Sequence, residues 1–149
     1  MSSALRERAL RLLARRDFAC EELSRRLAPY AETADDLRAL LSELLAEHLL
    51  SDERYAGERV RRRSARWGNG RLAEDLRAKG VSEGVISTTL AAEENEVTRA
   101  CRVWQRKFAG EQALAGDAAT RARQARFLAN RGFSGETIRR VLRGDLEDD

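Results

Sequence analysis

The sequence of 149 residues predicts an all-α protein. Its expected architecture is three tandem three-helix repeats, helix-turn-helix-like, stacked into an elongated, curved body. Three observations carry that expectation. Apolar residues recur with a helical period: Leu37, Leu40, Leu41, Leu44 and Leu45 fall on one face. The chain also repeats itself. At an offset of 52, Leu76, Gly80, Ser82, Ile86 and Leu90 return as Leu128, Gly132, Ser134, Ile138 and Leu142. At an offset of 49, Leu23, Leu27, Thr33, Leu37 and Leu41 return as Leu72, Leu76, Ser82, Ile86 and Leu90. Finally, strand signals are missing, and Asn69-Gly70 lies between arginine-rich helical stretches rather than between strands.

The first repeat, residues 1–50, opens with a helix over 4–15 and a loop at 17–19. Cys20, ahead of Glu21 and Glu22, stands where a weak N-cap is expected. Leu23 and Leu27 form the stripe of the second helix. Thr33 caps the third, and the lone His48 falls at its end. In the second repeat, residues 51–93, Ser51 caps a helix over 52–66 with Asp52 and Glu53 in its first turn, where the helix dipole favours acids. Residues 67–70 turn the chain, and Leu72 and Leu76 start the next stripe. Gly80 suits the left-handed residue that ends that helix, Val81 points inward, and Ser82 caps the last helix. Neither Gly nor Pro occurs from 91 to 97, which leaves open whether one helix continues across residues 85–109. The third repeat, residues 94–144, has a helix over 94–109, a loop at 110–116, then Leu128, Gly132, Phe133 and Ser134 in the same roles. Residues 145–149 are an acidic tail.

Hydrophobic residues make up 42% of the chain and aromatics 5%, so Leu, Ala and Val must fill the core. No apolar run approaches the roughly 20 residues that span a bilayer, and no apolar segment of signal type follows Met1. The expected location is cytoplasmic, without membrane association. Cys20, Cys101 and His48 are too few for structural zinc in a monomer, and a disulfide is not expected in a reducing compartment. Catalytic signals are equally thin. Asp35-Asp36 and Glu93-Glu94 are adjacent pairs that diverge around a helix. Gly68-Asn69-Gly70 lacks the strand and the Lys-Ser/Thr of a phosphate-cradling loop. Cys101 shares an apolar stripe with Trp104 and Phe108. Neither enzymatic activity nor a cofactor nor a bound metal is expected.

Charge carries the functional signal. Of 28 basic residues only Lys79 and Lys107 are lysines. Genomic base composition explains part of such an arginine excess equally well, yet the planar guanidinium fork suits phosphates and carboxylates. Residues 29–53 carry seven acids against Arg38, a net of −6. Residues 54–80 are +6, residues 120–143 are again +6, and the tail is −4. Local fields of this size steer a polyanion or an acidic surface despite a total of only +3. The candidate contact residues are Arg61, Arg62, Arg63, Arg66, Arg71, Arg77 and Lys79, then Arg121, Arg123, Arg126, Arg131, Arg139 and Arg140. Base reading by the last helix of each repeat is disfavoured, because Asp35, Asp36, Glu43 and Glu47 in the first and Glu83, Glu93 and Glu94 in the second repel phosphate. Only the last helix of the third, with Arg139, Arg140 and Arg143, has the right sign. Trp67, beside Arg66, stands open between stacking on a base and closing the core.

These residues, taken in order, resemble the RecX family of recombinase regulators. The strongest match is Leu49-Leu50-Ser51-Asp52-Glu53-Arg54-Tyr55-Ala56, followed by the basic helix, Gly68-Asn69-Gly70 and Leu76-Arg77-Ala78-Lys79-Gly80-Val81. Ala9-Leu10-Arg11-Leu12-Leu13-Ala14-Arg15-Arg16 with Glu22-Leu23, and residues 125–134, extend the likeness over nearly the whole chain. Where the family usually has a Ser-type cap, this sequence has Cys20. The resemblance implies tandem three-helix units. It implies a protein that binds the RecA recombinase, chiefly as a filament on single-stranded DNA, and inhibits its ATPase and strand-exchange activities in DNA repair and the SOS response; a monomer is expected. It supplies no catalytic residues, and the basic helices themselves predict weak, sequence-tolerant direct nucleic-acid binding. A stand-alone, sequence-tolerant DNA-binding protein is the alternative, and a helical adaptor acting only on proteins is a third reading.

Overall fold

The structure is a computed structural model that describes residues 3–109 and 117–144. The expected loop at 110–116 and the acidic tail at 145–149 lie outside the described residues.

All regular elements among the described residues are helices, in three successive triplets. The first is α1 (Ser3–Arg15), α2 (Cys20–Leu27) and α3 (Ala34–Ala46), with a 3-10 turn (Ala28–Tyr30) after α2. The second is α4 (Asp52–Arg63), α5 (Asn69–Ala78) and α6 (Glu83–Ala91). The third is α7 (Glu96–Phe108), α8 (Ala118–Asn130) and α9 (Gly135–Arg143).

Short-range chemistry sets most helix ends. Hydroxyl oxygens of Thr33, Ser82 and Ser134 accept the N–H groups of Asp36, Val85 and Thr137 at 3.0, 3.3 and 3.1 Å. Ser51 does the same for Arg54 at 3.1 Å. Each satisfies a donor that a helix start leaves without an intrahelical partner. Gly80 and Gly132 have φ of 83° and 92°, and the N–H groups of Val81 and Phe133 return to the carbonyls of Leu76 and Leu128. That closure turns Val81 and Phe133 inward, where both are buried. His48, with φ of 61°, plays the same part after α3.

Four local expectations are corrected. Helix α4 stops at Arg63 rather than 66, and α5 starts at Asn69, inside the stretch expected to be a turn. The question left open across residues 85–109 is answered by two separate helices, since Asn95 Oδ1 accepts the N–H groups of Val97 and Thr98 at 2.8 and 3.2 Å and starts α7 afresh. Glu93 and Glu94 therefore lie outside α6. Cys20 is not a cap but the first residue of α2, and its N–H donates to Asp52 Oδ1 at 2.7 Å. A carboxylate 32 positions away replaces the local cap.

Packing divides the chain into two compact bodies, residues 1–59 with 76–89 and residues 60–75 with 90–149. The middle triplet is shared between them. Leu5, Ala9, Phe18, Leu23, Leu27, Leu40 and Leu44 build the first core. Val97, Ala100, Val103, Leu128, Phe133, Ile138 and Val141 build the second, with Cys101, Trp104 and Phe127 packed against it. Gln124 occupies the repeat position of Leu23 and Leu72 and is fully buried. Its carbonyl oxygen accepts the Trp104 indole N–H at 2.9 Å, which satisfies both groups.

Candidate nucleic-acid interface

In the second body a buried polar junction holds the chain between α4 and α5. Arg99, 2% exposed, donates from Nε to the Glu94 carbonyl at 2.9 Å and from Nη1 to the carbonyls of Ser64 and Trp67 at 3.2 and 2.8 Å. Its Nη2 bonds Asn69 Oδ1. Glu96 accepts the Asn69 N–H at 2.7 Å and the hydroxyls of Ser134 and Thr137 at 3.1 and 2.6 Å. The Gly68 and Gly70 N–H groups donate to the carbonyls of Arg131 and Gly132 at 2.7 and 3.0 Å. A Cβ on Gly68 would stand 2.4 Å from the Gly132 carbonyl carbon. The Gly68-Asn69-Gly70 stretch is thus a backbone weld to the turn between α8 and α9, and all three of its N–H groups are used internally. Burial pulls the Arg99 pKa down, opposed by the charges of Glu96, Glu93 and Glu94. In the sequence Arg99 reads as one more basic residue. Its spacing on the inward stripe with Val103 is the available signal.

The candidate residues fall into distinct settings. In the second body Arg61 and Arg62 are exposed on α4, while Arg63 is half-buried. The guanidinium carbons of Arg63 and Arg71 lie 5.5 and 4.2 Å from the Trp67 ring centroid. Trp67 is itself half-buried, so its ring supports arginines rather than sealing the core. Arg77 and Lys79 belong to the first body, and both face carboxylates. Arg77 Nε donates to Glu83 at 2.8 Å, and Lys79 Nζ lies 3.8 Å from Glu22. On α8 and α9, Arg121, Arg123 and Arg126 are exposed, Arg139 bonds Glu136 at 3.0 Å, and Arg140 is half-buried. Arg121, Arg139 and Arg143 edge a cavity of about 560 Å³ floored by Ala125, Ile138 and Leu142.

A second cavity, of about 190 Å³, gathers cations from three elements: Arg66 after α4, Arg106 and Lys107 on α7, and Arg131 after α8. Val103 and Phe127 line it. Among the described residues none of these four cations pairs with a carboxylate. Lys107 Nζ and the Arg131 guanidinium lie 5.4 and 4.9 Å from the Phe127 ring centroid. Four unneutralised cations over an apolar floor give a concentrated positive potential. Sequence reasoning misses Arg106 and Lys107 because they lie outside both +6 blocks, and only folding brings them beside Arg66 and Arg131.

The acidic pairs do not converge. Asp35 accepts from Arg38 at 2.9 Å, and both Glu94 oxygens accept from Arg102, at 2.8 and 3.0 Å. Burial raises the thiol pKa of Cys20, with Asp52 and Glu21 adding to it, and burial likewise raises that of Cys101, so neither is an activated nucleophile. Among the described residues no group of three or more His, Cys, Asp or Glu side chains is placed to hold a metal ion, and no helix is long and apolar enough to cross a membrane.

Two family models match the chain: RecX, second three-helix domain, over residues 51–90, and RecX, third three-helix domain, over residues 93–142. The regulatory protein RecX of Chromobacterium violaceum is 41% identical over 146 residues, covering 98% of this chain and 93% of its own. That of Pseudomonas entomophila is 43% identical over 150 residues, covering 97% and 94%. The crystal structure of RecX from Lactobacillus salivarius superposes with a TM-score of 0.85 at 18% identity, covering 96% of this chain and 95% of that one.

Proposed function

The chain belongs to the RecX family, and from that premise we propose that it is a regulator without enzymatic activity whose target is the RecA recombinase. It acts as a cytoplasmic monomer, binds RecA chiefly as a filament on single-stranded DNA, and lowers ATP hydrolysis and strand exchange in DNA repair and the SOS response. The observation that carries this reading is the set of cations in the second body that lack carboxylate partners among the described residues, Arg66, Arg106, Lys107 and Arg131, together with exposed Arg121 and Arg126. Long guanidinium and ammonium side chains with no counter-charge suit the phosphate backbone, where they release condensed counterions. Of the acids in and around α3, Glu43 and Glu47 pair with Arg6 and Asp35 with Arg38, which leaves Glu32 ahead of the helix and Asp36 in its first turn to suit a basic protein surface instead. Weak contacts to DNA and to protein made by one chain multiply through effective concentration, so a filament is held more tightly than either component.

The test measures affinity separately for bare single-stranded DNA, free RecA and the RecA–DNA filament, alongside the DNA-dependent ATPase. The reading predicts tightest binding to the filament, a fall in ATP hydrolysis, and a salt slope near −0.7 per phosphate contacted for bare single strands. Equal affinity for bare DNA and filament, with no effect on the ATPase, would make it a stand-alone, sequence-tolerant DNA-binding protein.

A further inference from the structure

We propose that the Phe127 cavity is a nucleotide subsite that takes one unpaired nucleotide of a single strand, phosphate on the rim cations and base against the ring. The proposal rests on the DNA-contact reading above and adds a base-binding element to it. The volume of about 190 Å³ is below the roughly 300–1,000 Å³ of sites for drug-sized ligands, so the cavity suits one small group. Its chemistry is divided. Arg66, Arg106, Lys107 and Arg131 supply positive charge, while Val103 and Phe127 supply an apolar floor. A bare inorganic anion would use the first and leave the second wet. A nucleotide uses both.

The floor is built to present a ring. Buried Phe108 meets Phe127 edge-on, with centroids 5.4 Å apart and planes at 83°, and so fixes its orientation. Phe127 itself stays half-buried and open to the cavity. The cations near it, Lys107 and Arg131, hold no carboxylate among the described residues and can turn toward a phosphate. Every base has a π face, so such a contact tolerates any sequence, in keeping with the acidic α3 that disfavours groove reading. In a duplex the base faces are stacked and hidden, which makes the subsite selective for single strands.

The experiment uses the full chain and compares a fluorescent oligothymidylate with an abasic oligomer of equal phosphate count at fixed salt. Stacking of one base predicts that the wild type prefers the oligothymidylate by about fivefold or more. Phe127→Leu keeps an apolar side chain on the core and should erase that preference while preserving the salt slope. A thermal melt checks its folding, and the wild-type comparison stands without the variant. Arg106→Ala with Lys107→Ala should weaken both oligomers and flatten the salt slope. Equal wild-type affinity for the two oligomers with a steep salt slope would overturn the subsite and leave backbone contact standing. A preference that survives in folded Phe127→Leu would overturn it too, by locating the base elsewhere. Competition by thymidine 5′-monophosphate as strong as that of the strand would assign the cavity to free nucleotides and overturn the strand assignment. Binding of neither oligomer would remove both this proposal and the DNA-contact reading.

Discussion

Arg54 in the first body and Arg99 in the second hold loops in nearly the same way. Arg54 donates to Asp17 at 2.8 Å and to the carbonyls of His48 and Leu49 at 3.1 and 3.2 Å. Arg99 fastens the carbonyls of Ser64, Trp67 and Glu94 and the Asn69 side chain. The side chain of Arg54 is 43% exposed, whereas Arg99 is 2% exposed. Water can replace Arg54 at its exposed acceptors more readily than Arg99, whose bond to the Ser64 carbonyl is buried and whose other bonds are partly buried, so one geometry has two energetic weights. The contrast extends to the surface. In the first body Arg6, Arg16, Arg25, Arg38 and Arg77 each find a carboxylate. In the second, Arg102 and Arg139 do as well, whereas Arg66, Arg106, Lys107 and Arg131 find none among the described residues. Arginine ion pairs serve both bodies, and the second differs in gathering four cations without a described carboxylate partner around one cavity.

Removing each clamp should break the symmetry of that comparison most visibly. Arg99→Ala leaves the buried Ser64 carbonyl and the partly buried Trp67 carbonyl without that donor and should cost about 2–4 kcal/mol in urea denaturation. Arg54→Ala should cost about 1 kcal/mol or less. Equal losses would show that burial does not set the difference.

Glycine offers the next contrast. Gly68→Ala drives a Cβ to 2.4 Å from the Gly132 backbone and should lower stability by about 2 kcal/mol or more. Gly84 lies in α6, and a Cβ added there would meet nothing within 4 Å, so Gly84→Ala should raise stability by about 0.5–1 kcal/mol. A calorimetric melt in which both variants move in the same direction would contradict the account of the weld.

Glu22 gives the smallest effect and a pH signature. Burial raises its pKa, but bonds and charge from Arg16, the Ala19 N–H and Lys79 outweigh that and hold it below the ordinary carboxylate range. Its stabilising contribution is therefore complete above the unfolded value of about 4.3 and is lost as pH falls through the folded one. Glu22→Gln should lower the urea midpoint modestly at neutral pH, by about 1 kcal/mol or less, and match wild type near pH 3. A gap that widens on acidification would reverse the sign of the argument.

What can be read in the sequence is local. Thr33, Ser51, Ser82 and Ser134 cap within three residues of themselves, and Gly80 and Gly132 meet a steric demand that only a short list of residues satisfies. The leucine repeat likewise marks the core directly, as buried Leu27, Leu76 and Leu128 show. What escapes is long-range. The α2 donor is met by Asp52 and the α5 donor by Glu96, carboxylates that look like ordinary first-turn acids. Arg99 is held by three carbonyls and an amide, and its spacing on the stripe with Val103 marks it as inward without announcing those acceptors. Arg66 and Arg131 are legible from charge blocks, but the cavity they share with Arg106 and Lys107 exists only in the folded chain.

The central claim, that the second body makes the polyanion contact, is tested most directly by two matched triple variants. One is Arg66→Ala, Arg106→Ala and Arg126→Ala; the other is Arg6→Ala, Arg25→Ala and Arg38→Ala from the ion pairs of the first body. The measurement is affinity for RecA–single-stranded DNA filaments as a function of salt, with a thermal melt of each variant. The account predicts that the first set weakens binding by about tenfold or more and flattens the salt slope by about 0.7 for each lost phosphate contact, with the melt unchanged. It predicts that the second set leaves affinity within about twofold. Equal losses from the two sets, or a loss confined to the first body's arginines, would contradict it.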